Sequence, residues 1–470
     1  MYKLFFVLVV FALGGSSNLW SQSPQQADTT ACIIDIPLVD VPYLGLAAQT
    51  VSNKAASELN ALDFLSSYAN PSMKQSLSLS GGIYGAGNWA IKKLISTNDE
   101  FLDILLRNSA AGLLGLAMFY APGGNAWLHE EYHRAVMTRN LMNSFNEMNT
   151  FPFGREAVSV KNVRDEDLIR LKNTANTEFV RLMAAGIEGQ YHQNQMLQKQ
   201  NFFYRQDLPH IPLYWINTMS SMFYVLSSSS GEAMNGLIDR AHVREGRNIA
   251  ERDFTGPDFT AWADALVNPE KRYEARGMHP SGVGIQRYVR PSDLSTEARE
   301  YLQTQGVLQF LNILSPHLVG FSAIRIDSTR DGIYYGNAAL RHLLTPFGFD
   351  VALDIFFQAP DVNVFFSMHN YFNRNAYFVG IQTEVIDYPV FNGNALASVR
   401  AHLWVQPENQ SFRTTTGQLG GLAGGRLVWL LGKNIQPFID VEAKSAGWVM
   451  GNEFLGSNLG VSLGLRMMFR

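Results

Sequence analysis

Ala395-Leu396-Ala397-Ser398-Val399-Arg400-Ala401-His402-Leu403-Trp404-Val405-Gln406 alternates with a period of two. In an extended chain Ala397, Val399, Ala401, Leu403 and Val405 share one face, while Ser398, Arg400, His402 and Gln406 share the other. Trp404 is the one apolar residue on the polar side. Such alternation is the mark of a strand with two unlike faces. The same pattern recurs nearby. Ile439, Val441 and Ala443 alternate with Asp440, Glu442 and Lys444. Leu459, Val461, Leu463, Leu465, Met467 and Phe469 alternate with Gly460, Ser462, Gly464 and Arg466.

The charges on one face carry the argument. A row of charges is unfavourable against lipid but tolerated around a polar lumen, where opposite signs can pair. Further segments at 347–357, 362–372, 376–386 and 421–431, with turn residues such as Asn392-Gly393-Asn394 between them, repeat the strand length of a membrane barrel. The pattern predicts an antiparallel β-barrel over residues 311–470, of about eight strands because single-chain bacterial barrels favour even counts. A soluble β-sandwich or lipocalin-like barrel would alternate in the same way, and that alternative stays open. The last segment also resembles the terminal strand of outer-membrane proteins, which finish on an aromatic residue. Here Phe469 is penultimate and Arg470 follows.

Working outward, the start of the chain fits an exported protein. Lys3 precedes an apolar run at 4–13, too short to span a bilayer, and small polar residues follow. Residues 1–22 read as a signal peptide and 23–54 as a flexible lead. The single cysteine, Cys32, cannot form an internal disulfide. Among 470 residues 46% are hydrophobic and only 17% charged, with a net charge of −4, so no basic field marks a nucleic-acid partner. The expected setting is the outer membrane, with lipid as one partner and envelope peptides or proteins as possible substrates.

Residues 55–310 read as mainly helical, giving an α+β chain: a helical N-terminal domain followed by the barrel. The apolar runs at 110–120 and 211–226 read as buried core helices; the stretch 230–304 is polar and irregular. The helical part holds the chemical motif, His129-Glu130-Glu131-Tyr132-His133. Asn125 after Gly123-Gly124 can start a helix, and neither Pro nor Gly interrupts 126–145. Histidines four residues apart on a helix share a face, so both imidazoles can reach one Zn²⁺. Glu130 then stands where a general base would take a proton from a metal-activated water. No Gly-rich phosphate loop is present, and the Gly460-Val461-Ser462-Leu463-Gly464 match lies inside a strand, where an esterase elbow cannot form.

The motif resembles that of the zincin metallopeptidases, with Arg134 standing where that family usually has an uncharged residue. The metzincin continuation after His133 is absent. A carboxylate from a later helix, as in the gluzincin branch, is implied as third ligand. Glu188 is the first candidate, then Glu178, then His192. Ala184, Ala185, Gly186 and Gly189 around Glu188 would let its helix approach another closely. Asp239 and His242, and the loop residues Asp253, Asp258 and His279, are weaker candidates. The resemblance implies a zinc metallopeptidase whose helical domain faces the periplasm. The alternative is a non-enzymatic barrel (a channel, adhesin or assembly factor) with a helical plug, in which the histidine pair is incidental.

Overall fold

A strand with one charged and one apolar face needs polar partners on one side only, and the sheet is built on that asymmetry. The computed structural model describes residues 32–52, 69–149, 158–330 and 332–469; the expected signal segment lies outside the described residues. Ten strands form one antiparallel sheet: β1 (Cys32–Val41), β2 (Ile324–Thr329), β3 (Gly332–Thr345), β4 (Gly348–Ala359), β5 (Val362–Phe372), β6 (Tyr377–Val390), β7 (Ala395–Pro407), β8 (Gly417–Trp429), β9 (Ile435–Lys444) and β10 (Asn458–Phe469). The order is β1-β10-β9-β8-β7-β6-β5-β4-β3-β2.

Two expectations are corrected here. The sheet has ten strands, not eight, and it is not closed, because β1 and β2 are its two edges and do not pair. Residues 311–470 carry nine strands, one more than expected, and the tenth is β1, inside the stretch expected to be a flexible lead. Nine of its ten residues pair with β10, from Cys32↔Phe469 to Val41↔Val461, with Leu38 left out at a bulge. Pro37 hid it: proline interrupts a strand pattern, and the register shifts between Pro37 and Val39.

The helical part is therefore an insertion between β1 and β2 rather than a domain preceding the sheet. Its main helices are α1 (Tyr43–Ser52), α2 (Met73–Leu94), α3 (Glu100–Met118), α4 (Asn125–Arg139), α5 (Asp165–Thr174), α6 (Asn176–Phe203), α7 (Ile211–Ser228), α8 (Gly231–Glu245), α9 (Asp258–Val267) and α10 (Thr296–Leu308). The stretch 230–304, expected to be irregular, holds α8 and α9. A capping box between Ser72 and Gln75 opens α2, and Asp99 caps α3. α2 packs on β1, and α3 packs against α2 and α7, so helices flank the β1 edge. The run 110–120, expected to be buried, belongs largely to α3 and exposes Leu113 and Leu116. α3 is long and apolar enough to cross a membrane. α7 is buried as expected, with Asn217, Thr218 and Ser221 inside.

α6 runs along the concave face of the sheet. There the charges pair among themselves and with the helix. Arg400 holds Asp440 at 2.6 Å and Glu442 at 2.8 Å; Arg341 holds Asp354 at 3.1 Å. Gln195 donates to Asp354 at 2.8 Å, and Lys199 meets Glu384 at 2.9 Å. Trp404, the apolar exception in β7, faces inward and is buried. The opposite face is apolar and bare: Leu403 is 65% exposed and Leu419 77%.

Removing one partner of a largely buried ion cluster leaves charge uncompensated at low dielectric, a loss of about 3–5 kcal/mol. Arg400→Met strands Asp440 and Glu442 together, so its thermal melt is expected well below that of the parent protein. An unchanged melting temperature would contradict the pairing.

Candidate metal centre

The motif helix α4 is buried along nearly its whole length. It can be so because α6 comes unusually near. A Cβ on Gly186 would stand 2.2 Å from His129 Nε2, and one on Gly189 would stand 2.9 Å from the Tyr132 ring. The small residues around position 188 do permit a close helix crossing, and what they seat is His129 and Tyr132. Arg134, the departure from the zincin pattern, makes a two-pronged buried contact with Glu131 at 2.7 Å to each oxygen and also reaches Asn70.

His129 Nε2 and His133 Nε2 lie 3.2 Å apart. The carboxylate that joins them belongs to Asp258, the first residue of α9. Its Oδ2 is 3.1 Å from His129 Nε2 and 3.4 Å from His133 Nε2. Three donors on a tetrahedral zinc, each at about 2.0–2.1 Å, would stand about 3.3–3.4 Å from one another. The observed triangle matches that spacing. Among the described residues these three are the group of His, Cys, Asp and Glu side chains that could hold a metal ion.

The surroundings orient the ring nitrogens. His133 Nδ1 lies 2.6 Å from the Leu182 carbonyl oxygen, an acceptor only, so Nδ1 carries the proton and Nε2 presents its lone pair. His129 Nδ1 faces Gln190 Oε1 at 3.5 Å, and that amide oxygen accepts from Ser221 at 2.7 Å. Both histidines thus have a second group setting their rings, as metal-binding histidines usually do.

The carboxylates around the triangle divide sharply. Burial opposes ionisation of Asp258, but His133 and His129 hold its carboxyl below the usual carboxylate range. Burial, with Asp253 and Asp258 beside it, pushes Glu130 well above that range. Glu130 has no hydrogen-bond partner among the described residues. Asp253 is pushed up by burial and then by Glu245, while its carboxylate accepts from the Phe254 and Gly256 amides. The Asp258 amide donates to the Tyr224 hydroxyl oxygen at 3.0 Å, and the Tyr224 ring lies 6.0 Å from that of His129. Burial keeps that phenol protonated well above its ordinary range.

The first three candidates for third ligand lie elsewhere. Glu188 is fully buried against Arg181 at 2.6 Å and accepts from Trp448 Nε1 and the Gly451 amide at 3.3 and 2.8 Å. It fastens α6 to the β9–β10 loop. Glu178 faces Arg139 and Arg181. His192 Nδ1 meets Tyr132 Oη at 3.0 Å and borders a separate cavity of about 310 Å³ between α2, α6 and the concave sheet face. Asp239 pairs with Arg290, and His242 stacks on Tyr288. His279 lies 3.6 Å from Glu245, away from the triangle. Asp258 was legible only as a loop carboxylate, and Tyr224 carried no signal in the sequence.

No protein-family model, no curated protein and no solved structure matches the chain.

Gly186→Ala is expected to displace the His129 ring and to lower zinc binding at least tenfold by calorimetry, with the helical content retained. Glu188→Gln is expected to do the reverse. It unpairs the buried Arg181, costing about 3–5 kcal/mol, while metal bound per folded molecule stays unchanged. Loss of zinc from Glu188→Gln would return Glu188 to the ligand set.

Proposed function

We propose that the chain is an outer-membrane zinc metallopeptidase of zincin-like chemistry, with His129, His133 and Asp258 as ligands and Glu130 as general base. The triangle of 3.1, 3.2 and 3.4 Å edges carries the reading. Three protein ligands leave a fourth tetrahedral position open, the arrangement of catalytic rather than structural zinc. A zinc ion bound there would supply Lewis-acid polarisation and would bring water into its nucleophilic form near neutral pH.

The chain's own residues supply the rest. Glu130 follows a ligand on the same helix and is buried with no hydrogen-bond partner among the described residues, so its carboxylate is free to accept and return a proton. Burial and the neighbouring carboxylates raise its affinity for protons, and a cation at the triangle would lower it again, so that one group can serve as both base and acid. Tyr224, a buried neutral phenol whose oxygen is tied to the Asp258 amide, can donate its O–H to a developing oxyanion. Asp258, as a ligand, reduces the net positive charge of the centre.

The membrane part of the proposal is supported by the faces of the sheet. The concave face is charged and paired, and the convex face exposes Val379, Ile381, Val399, Leu403, Leu419 and Leu459. Exposed Phe357, Tyr388, Phe391, Trp429 and Phe469 gather at the end of the sheet that carries the turns 360–361, 391–394 and 430–434, and exposed Tyr377 stands at the other end, as interfacial aromatic girdles would. The exposed apolar side of α3 extends this surface past β1. The non-enzymatic alternative leaves unexplained why a buried carboxylate with no hydrogen-bond partner among the described residues stands beside a ligand-like triangle.

Glu130→Gln is expected to retain zinc and to cut hydrolysis of an unstructured casein substrate by about 10²–10⁴-fold, the usual worth of a general base. Asp258→Ala is expected to lose both metal and activity. Full activity in Glu130→Gln, or full zinc content in Asp258→Ala, would defeat the assignment.

A further inference from the structure

The sidedness of the site can be read from the topology, given the outer-membrane reading on which this inference rests. The sheet has two unlike ends. At one end are the turns 360–361, 391–394 and 430–434, together with Cys32 paired to Phe469. At the other are the turns 346–347 and 373–376 and the longer loops 408–416 and 445–457. Val41 also reaches this second end, so the helical insertion leaves the sheet from there. Outer-membrane barrels keep short turns on the periplasmic side and long loops outside.

The metal triangle belongs to the long-loop end. The amide of Gly451 and the indole of Trp448, both in loop 445–457, hold Glu188, two residues from the Gly186 that seats His129. Trp262 of α9, the helix that begins with Asp258, donates to the Thr345 carbonyl at the tip of β3. Glu297 of α10 pairs with Arg374 and Arg413 in the loops 373–376 and 408–416. Lower down, Gln195 meets Asp354 in the middle of β4. From Gln195 back to Gly186 is nine helical residues, a rise of about 13 Å. That is about half of the ~25 Å apolar band of such barrels, which sets His129 near the outer rim.

We propose that the end of the molecule that holds His129, His133 and Asp258 stands on the exterior face of the cell, so that its substrates are polypeptides outside the cell and not proteins of the periplasm. This reverses the expectation of a periplasmic helical domain. That expectation treated the helices as preceding the barrel, whereas β1 precedes them and delivers them to the far side.

Cysteine labelling of intact cells tests the proposal. Val243, 86% exposed in the last turn of α8, whose Glu245 accepts from the Asp253 amide, and Leu431, 79% exposed in the turn 430–434, mark the two ends. Met278 and Leu94 are exposed second reporters for the same two ends, should either first variant fail to fold. The native Cys32, buried, is the unlabelled control. With a membrane-impermeant maleimide, Val243→Cys is expected to label at least tenfold more in intact cells than after prior blocking from outside. Leu431→Cys is expected to label only once the outer membrane is permeabilised. Labelling of Leu431→Cys with protection of Val243→Cys, in protein that stays with the outer membrane through a carbonate wash, would overturn the sidedness alone. Protein released by the wash, with both positions protected in intact cells, would overturn the membrane reading and the inference with it.

Discussion

The close crossing of α4 and α6 is the constraint on which the rest depends. α4 brings the motif histidines, and α6 brings the bare backbone of Gly186 and Gly189 against them. A methyl group at either place would enter the His129 or Tyr132 ring. The same stretch of α6 turns Arg181 and Glu188 to the other side, where they fasten the helix to Trp448 and Gly451. One helix thus positions the site on one side and attaches it to the sheet on the other. This makes the sheet part of the machinery that sets His129, although no strand contributes a ligand.

The concave face of the sheet explains why polar helices can lie against it. A closed empty barrel would fill such a lumen with water. Here Gln195, Lys199 and Arg205 of the helical insertion supply partners for Asp354, Glu384 and Gln358. Each buried charge costs desolvation that only a well-placed opposite charge or hydrogen bond can offset. Arg341, Arg400 and Arg466 meet that cost within the sheet, through Asp354, through Asp440 and Glu442, and through Asp35 and Asp387, while Gln195 and Lys199 tie α6 to the same face. The absence of a β1–β2 pairing follows from the same filling: with helices packed along the β1 edge, the sheet has no need to close on itself.

Much of this was legible in the sequence. The alternation from Leu396 to Gln406 gave the strand, its faces and its charged side, because a period of two survives whatever the sheet does next. The helical motif was legible because four-residue spacing is a local property. What escaped was non-local. β1 was lost because Pro37 broke its pattern and its partner, β10, comes more than 400 residues later in the chain. Asp258 was passed over because a loop carboxylate has no periodicity to fix its direction. Only the fold shows that the Asp253–Asp258 loop folds back over α4. Glu188 was favoured because small neighbours implied close packing. They did, but a fully buried glutamate beside a fully buried arginine seven residues earlier is already satisfied.

That last comparison separates a satisfied carboxylate from an unsatisfied one. Glu188 accepts from Arg181, Trp448 and Gly451, and nothing is left over for a ligand. Glu130 is almost as deeply buried, has no partner among the described residues and lies among the carboxylates of Asp253 and Asp258. Such a placement is unfavourable for an ionised group, and burial pushes it toward its neutral form. A cation held between His129, His133 and Asp258 would reverse the local field and favour the carboxylate again. An acidic cluster of this kind is a setting that a divalent cation would relieve. It is therefore the strongest physical argument for the proposal that the triangle, which could hold a metal ion, does so.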